Sequence, residues 1–387
     1  MKRPSNSDLG LTVINEFYDR MRIDAEWSVW EPRGFTWWSW YSAQRVWSEP
    51  VVNDAGFLLY RLHARAELFD GFENTDEQVV CLNLIGEMMT LSGPVVAADR
   101  PGRIELAASV KVHEGNLNWA PNLFMDAAAM QAAEACIVGE HLEGSGLRRV
   151  TSAHPRSGRR KEMDEMLDIF RSLVNPMGQG PSLYAGHEME RLVAKLARPP
   201  CVEVTGDESG LAAEYPYPGH TSLIQLGTTE QHPRAGSGLL ATLTVPEGKN
   251  DVATARRALE WNKKDLSSLF RTHFLGSWCA SPMGLTYKTF YPNCVHCEGC
   301  LINIAMTHIL RAQWLTEEVM GYSCKEHFEE AFEHKVALLF GDVKAPSKNC
   351  TLPQAESILA LQSEAGRRAA ADVGVTPRQF QAATWRP

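Results

Sequence analysis

The segment Cys294-Val-His296-Cys297-Glu-Gly-Cys300 holds the densest set of chemically capable side chains in the sequence. Thiolates and an imidazole so close together can reach one zinc ion, because a tight loop brings such ligands to about 2.0–2.3 Å from the metal. Cys279, on the preceding predicted strand, would add a further ligand. Against this, the spacing lacks the second Cys-x-x-Cys pair of a structural zinc site. It also lacks the fourth cysteine and trailing proline of an iron–sulfur run. The simpler expectation is a set of reduced thiols, with no metal or other cofactor assigned.

Residues 154–161 form a basic loop, His-Pro-Arg-Ser-Gly-Arg-Arg-Lys. Arg156, Arg159 and Arg160 are its candidate anion-binding residues, since clustered guanidinium groups suit phosphate. The loop has neither the glycine spacing nor the Lys-Ser/Thr pair of a nucleotide-binding loop, and a solvated interdomain linker is the plainer reading. His232-Pro233-Arg234-Ala235-Gly236 resembles it but falls between two predicted strands, as a hairpin turn would. No Gly-x-Ser-x-Gly elbow marks a nucleophile. The carboxylate pairs Glu317-Glu318 and Glu329-Glu330 sit on predicted helices as solvated faces. No catalytic residue is assigned.

Aromatic residues offer another chemistry, that of recognition. Six of the eleven tryptophans lie within residues 27–47. Trp37, Trp38, Trp40 and Trp47, on two β-prone segments, either bury a sheet face or grip a partner, because Trp is a typical interface anchor. With Trp314 on a later helix they are the candidate partner-binding residues.

The elements that would position these groups recur. Residues 252–320 read as an amphipathic helix, two short strands and a second helix. The same pattern occurs earlier. Asn83 precedes Leu106 by 23 residues, and Asn262 precedes Leu285 by 23. Helices are expected at 9–21, 76–90 and 123–142 in the first half, and at 184–196, 252–270 and from 301 in the second. Strands are expected at 35–40, 43–47, 57–68, 94–98 and 104–112, with counterparts at 222–228, 238–245, 275–279 and 285–291. Each half thus reads as helix, three strands, helix, two strands, helix. A connector spans 144–181 with a helix at 163–174, and helices are expected at 325–340 and 354–371 in the tail.

The chain has 387 residues, 44% hydrophobic and 22% charged, which is globular rather than disordered. A net charge of −9 argues against the broad basic face that nucleic-acid binding needs. No apolar run follows the Met-Lys-Arg start, and none has the roughly 18 residues of a membrane helix. Nine irregularly spaced cysteines suit a cytoplasmic, reduced protein.

The local sequences Ala258-Leu259-Glu260-Trp261-Asn262 and Leu285-Thr286-Tyr287-Lys288-Thr289-Phe290-Tyr291-Pro292 carry a family likeness. A helix ending in Trp-Asn or Leu-Asn and then a two-stranded hairpin resembles the YbjN-like proteins and the related type III secretion chaperones. The likeness covers most of residues 7–142 and 182–320. The aromatic stretch 35–47, the long connector and the helical tail depart from the minimal family pattern. The resemblance implies an α+β fold of two tandem chaperone-like repeats, 1–143 and 182–320; the connector 144–181 and the helical tail 321–387 are read from the residues alone. It further implies a bacterial, cytoplasmic, non-catalytic module that holds a partner protein, with two fused copies standing in for a dimer. The alternatives are a metal- or thiol-dependent enzyme built on residues 294–300, and a nucleotide- or nucleic-acid-responsive regulator built on residues 154–161.

Overall fold

A computed structural model describes residues 3–5, 8–52, 58–141, 146–173, 180–197, 203–217, 220–245, 247–268 and 272–319. The expected tail helices at 325–340 and 354–371 lie outside these residues.

Helix α1 (Leu9–Arg20) is closed at its start by Asp8, whose carboxylate accepts the Leu11 N–H at 2.9 Å. An antiparallel meander follows: β1 (Ser28–Glu31), β2 (Gly34–Trp38), β3 (Ala43–Val52) and β4 (Leu58–Asp70). Next come α2 (Asp76–Met88), the hairpin β5 (Gly93–Val96) and β6 (Arg103–Val112), and α3 (Ala120–His141). In the connector, β7 (Arg148–Arg149) pairs with β4, and α4 (Glu165–Leu173) packs on α3. The second half runs α5 (His187–Leu196), β8 (Glu203–Asp207), β9 (Gly210–Tyr217), β10 (His220–Gly227), β11 (Gly238–Val245), α6 (Val252–Ser267), β12 (Ser277–Ser281), β13 (Gly284–Pro292) and α7 (Cys300–Trp314).

The fold is mixed α+β with two antiparallel sheets. The main path of one sheet is β1-β2-β3-β4-β6-β5, and the other runs β8-β9-β10-β11-β13-β12. Each half has four strands between its first two helices, where three were expected. The additional strands, β1 and β8, are short outer strands with no clean alternation. β1 is hidden in an aromatic run, and β8 is polar and largely exposed. The centre is buried on both faces: Ile104, Leu106, Ala108, Val110 and Val112 of β6 are fully buried, and Ala107, Ser109 and Lys111 between them are buried too. Small residues such as Ala127, Ala128 and Ala133 let α3 lie close against β4 and β6. No helix among the described residues is long and apolar enough to cross a membrane.

The two halves share one continuous core, from Val13 and Phe17 through Trp261 and Trp278 to Leu315. Their sheets are sewn together at a seam. Ahead of the start of β5, Phe274 exchanges both main-chain hydrogen bonds with Ser109 of β6, at 2.8 Å each. Ahead of the start of β12, Phe290 of β13 donates to the Thr90 carbonyl at 3.1 Å. Asn83 of α2 crosses to β12, accepting the Ala280 N–H at 2.7 Å and donating to its carbonyl at 3.2 Å. Asn262 of α6 crosses to β5 and donates to the Pro94 carbonyl at 3.2 Å. Proline has no N–H, so the Asn262 Oδ1 instead accepts from Trp278 of its own half, at 2.7 Å.

Charge is buried beside the seam. Arg311 and Asp265, each about 1% exposed at the side chain, pair at 2.7 Å. The Trp278 indole N–H donates to the same carboxylate at 3.0 Å, and Arg311 stands 3.6 Å from the Tyr287 ring centroid. Leaving one member of such a pair alone costs about 3–5 kcal/mol, whereas replacing both costs far less. Arg311→Leu is therefore expected to lower unfolding free energy by about 3–5 kcal/mol in chemical denaturation. The double variant Arg311→Leu/Asp265→Leu is expected to recover part of that loss.

Candidate functional site

After β13 the chain makes a turn of 3-10 helix, Asn293–Val295, and then a turn closed by the Cys300 N–H on the Cys297 carbonyl at 2.9 Å. Gly299 sits in this turn at φ 79°, where a Cβ would be strained. In the first half, Glu114–Asn116 makes a 3-10 turn after β6, ahead of α3. Both strand-to-helix corners line one cleft of about 370 Å³. The first half supplies Asn118, Trp119, Asn122 and Asp126, with Arg20 of α1. The second half supplies Cys294, His296, Cys297, Cys300 and Asn303, with Tyr184, His273 and Tyr291.

Two of the three thiols in this wall are raised rather than activated. Burial pushes the Cys300 thiol up to about 12. Cys294 lies at the surface, yet partial burial of its thiol, with a smaller effect from Asp126, raises it too. Protonated thiols are poor nucleophiles and poor ligands. Cys279 is buried on β12 beside Gly86 of α2 and does not line the cleft. No group of three or more His, Cys, Asp and Glu side chains among the described residues is placed to hold one metal ion.

The opposite wall carries the unusual charge. Burial pushes Asp126 up to about 6, and the nearby Arg20 only partly offsets it. Arg20 is already engaged, with Glu16 and with the Asn122 side chain at 3.1 Å. Burial holds His273 down to about 3, so this imidazole is neutral, and its Nδ1 accepts the Lys111 N–H at 3.1 Å. Four buried polar atoms in the lining residues lack a hydrogen-bond partner among the described residues: the Tyr184 hydroxyl, the Trp119 Nε1, the Asn303 Nδ2 and the His296 Nε2, the last 3.9 Å from Glu188. The set offers donors, aromatic surface and one carboxylate without a contacting cation.

The candidate residues from the sequence lie elsewhere and do not converge. Trp37 and Trp314, 0% and 3% exposed, are core residues and present no surface. Trp38, 9% exposed, is covered by the connector: the His154 ring stands edge-on at 4.9 Å, and Arg160 donates to the Trp38 carbonyl. Trp40 and Trp47 are half-buried. Trp47 is stacked on His63 at 4.6 Å and flanked by Arg45 and Arg65.

The basic loop does not gather its three arginines. Arg160 turns inward, pairing with Asp164 at 3.1 Å and reaching Asp24 at 3.7 Å, while Arg156 and Arg159 are exposed. The backbone donors an anion would use are taken, since the His154 Nδ1 accepts from the N–H groups of Arg156 and Ser157. His232 makes the same turn between β10 and β11, accepting from Arg234 and Ala235. The connector is thus docked along the first half, with Asp164 held to the Ser39 carbonyl and Arg171 paired to Glu140 at 2.7 Å.

Two features carry only weak local signals in the sequence. One is Asp126, whose signal was a single carboxylate in the apolar run Leu123-Phe-Met-Asp126-Ala-Ala-Ala. The other is the outer face of α2, where Val80, Leu84 and Met88, spaced by four, are 42%, 54% and 41% exposed. Val79, Leu82 and Ile85 of the same helix face the core. Its signal was apolar residues on more faces than one core contact can bury.

Compared with protein-family models, curated proteins and solved structures, the chain matches none.

Asp126 generates a pH prediction. Its folded value is raised above 3.8, so between about pH 4 and 6 the folded state holds a proton that the unfolded state has lost. Stability therefore falls as pH rises through that window. Asp126→Asn is expected to raise stability at pH 7 by on the order of 2 kcal/mol and to flatten the pH 4–6 slope, as read from denaturation midpoints.

Proposed function

We propose that this chain is a non-catalytic protein-binding module, chaperone- or adaptor-like, that holds a partner protein, and that its halves descend from one module written twice. The observation that carries the binding reading is the apolar row Val80, Leu84 and Met88 on α2. Scattered exposed apolar side chains are ordinary, but a row at one helical face is the pattern by which a partner helix or strand is received.

The second half sharpens the contrast. The offset of 179 residues that carries Asn83 onto Asn262 carries Val80, Leu84 and Met88 onto Leu259, Lys263 and Ser267. Leu259 is buried, and Lys263 and Ser267 are exposed and polar. An outer face kept polar on α6 and apolar on α2 suits an asymmetric client. Fusing the halves would keep each at high effective concentration for the other while their surfaces diverge. The half-buried Trp40 and Trp47 remain candidate contacts. The protonated thiols give the enzyme alternative no support.

The test is affinity capture from cells that express the protein, with partners identified and their affinity measured on purified components. Leu84→Lys, at a site 54% exposed, is expected to leave the melting temperature unchanged. It should weaken partner binding by about tenfold or more. Recovery of the chain alone, or a captured protein indifferent to Leu84→Lys, would refute the reading.

A further inference from the structure

We propose that the cleft between the two strand-to-helix corners binds a small organic ammonium compound bearing an oxygen acceptor, its cation against Asp126 and its acceptor toward Trp119 and Asn303. Arg20 and Asp126 are the arginine and the carboxylate of the lining, and they are not equivalent. Arg20 is spent on Glu16 and Asn122, whereas Asp126 has no cation within bonding reach among the described residues. His273 is held neutral, and the thiols of Cys294 and Cys300 stay protonated.

A carboxylate kept in a half-buried, destabilising position is the mark of a group retained for a ligand. Aromatic walls from Trp119, Tyr184 and Tyr291 suit an organic cation better than a hydrated metal ion, since ring faces attract ammonium groups. The unpartnered donors Trp119 Nε1 and Asn303 Nδ2 ask for an acceptor on the same molecule, and the Tyr184 hydroxyl, fully buried and unpartnered, can serve as a further donor. A volume of about 370 Å³ admits a compound of this size class. The site uses neither the α2 face nor any partner protein, so it stands or falls separately from the binding reading.

The test is calorimetric titration of the full chain with choline, with its neutral isostere 3,3-dimethylbutan-1-ol, and with tetramethylammonium. Choline is expected to bind at least about tenfold more tightly than the isostere. Asp126→Asn should erase that preference, and as a stabilised variant it stays folded. Asn303→Leu should weaken choline but not tetramethylammonium, which has no acceptor. Bound choline should also slow alkylation of Cys294 by iodoacetamide, followed by peptide mass spectrometry. Equal affinity for choline and its isostere, a preference surviving in Asp126→Asn, or no saturable binding of choline would each overturn the proposal.

Discussion

The structure depends on the contact between two backbones at Gly93 and Gly276. A Cβ on Gly93 would stand 2.2 Å from the Gly276 carbonyl oxygen, and one on Gly276 would stand 2.2 Å from the Lys288 carbonyl oxygen. Neither place accepts a side chain without moving main chain. This close approach lets Phe274 pair with β6 and Thr90 with β13, so each sheet is continued by a residue of the other half. It also sets the depth at which Asn83 and Asn262 reach across. Buried main-chain groups without partners are costly, and here the amides of two helices help to satisfy the edge strands of the opposite half.

From that seam the cleft follows. Once β6 and β13 are fixed, the corners that follow them are fixed too, and α3 and α7 begin on either side of a shared space. The buried cations support the same geometry. Arg61 of β4 donates to the Leu266 carbonyl near the end of α6, and Arg311 ties α7 to Asp265 of α6 and to the His273 carbonyl. Positive groups at a helix C-terminus meet its dipole as well as its unpaired carbonyls. Rearranging the halves would leave these charges buried without partners, so the arrangement is stiff where the cleft needs it to be.

Much of this was legible in residue order. Helices α1, α2, α6 and α7 follow from apolar spacing with an aspartate or threonine cap at several starts, and β4, β6, β11 and β13 from alternation or apolar runs. Strands β1 and β8 were not legible, because outer strands of four and five residues need no buried face, and the eight-residue β9 was not placed either. The tryptophans misled for a different reason. Period 2 puts Trp37 inward with Phe35, and Trp38 on the other face is covered by a connector whose docking no local pattern reveals. Arg160 likewise looks solvated until Asp24, some 136 residues upstream, is placed beside it. The cleft joins residues near 120 to residues near 295, a distance no motif spans.

The proposed duplication explains why such a cleft can be chemically lopsided. In a symmetric dimer, corresponding corners must carry the same residues, so a carboxylate on one wall meets a carboxylate on the other. The offset that carries Asn83 onto Asn262 carries Asp126 onto Ala305 and Asn118 onto Cys297. Like charges set across a narrow, poorly hydrated space repel strongly, so a symmetric ancestor could hold Asp126 only at double the cost. Fusion would remove that constraint: one wall could keep the charge while the other carried thiols, His296 and Asn303. On that proposal the same freedom would act on α2 and α6, whose inner faces both hold the seam while their outer faces differ.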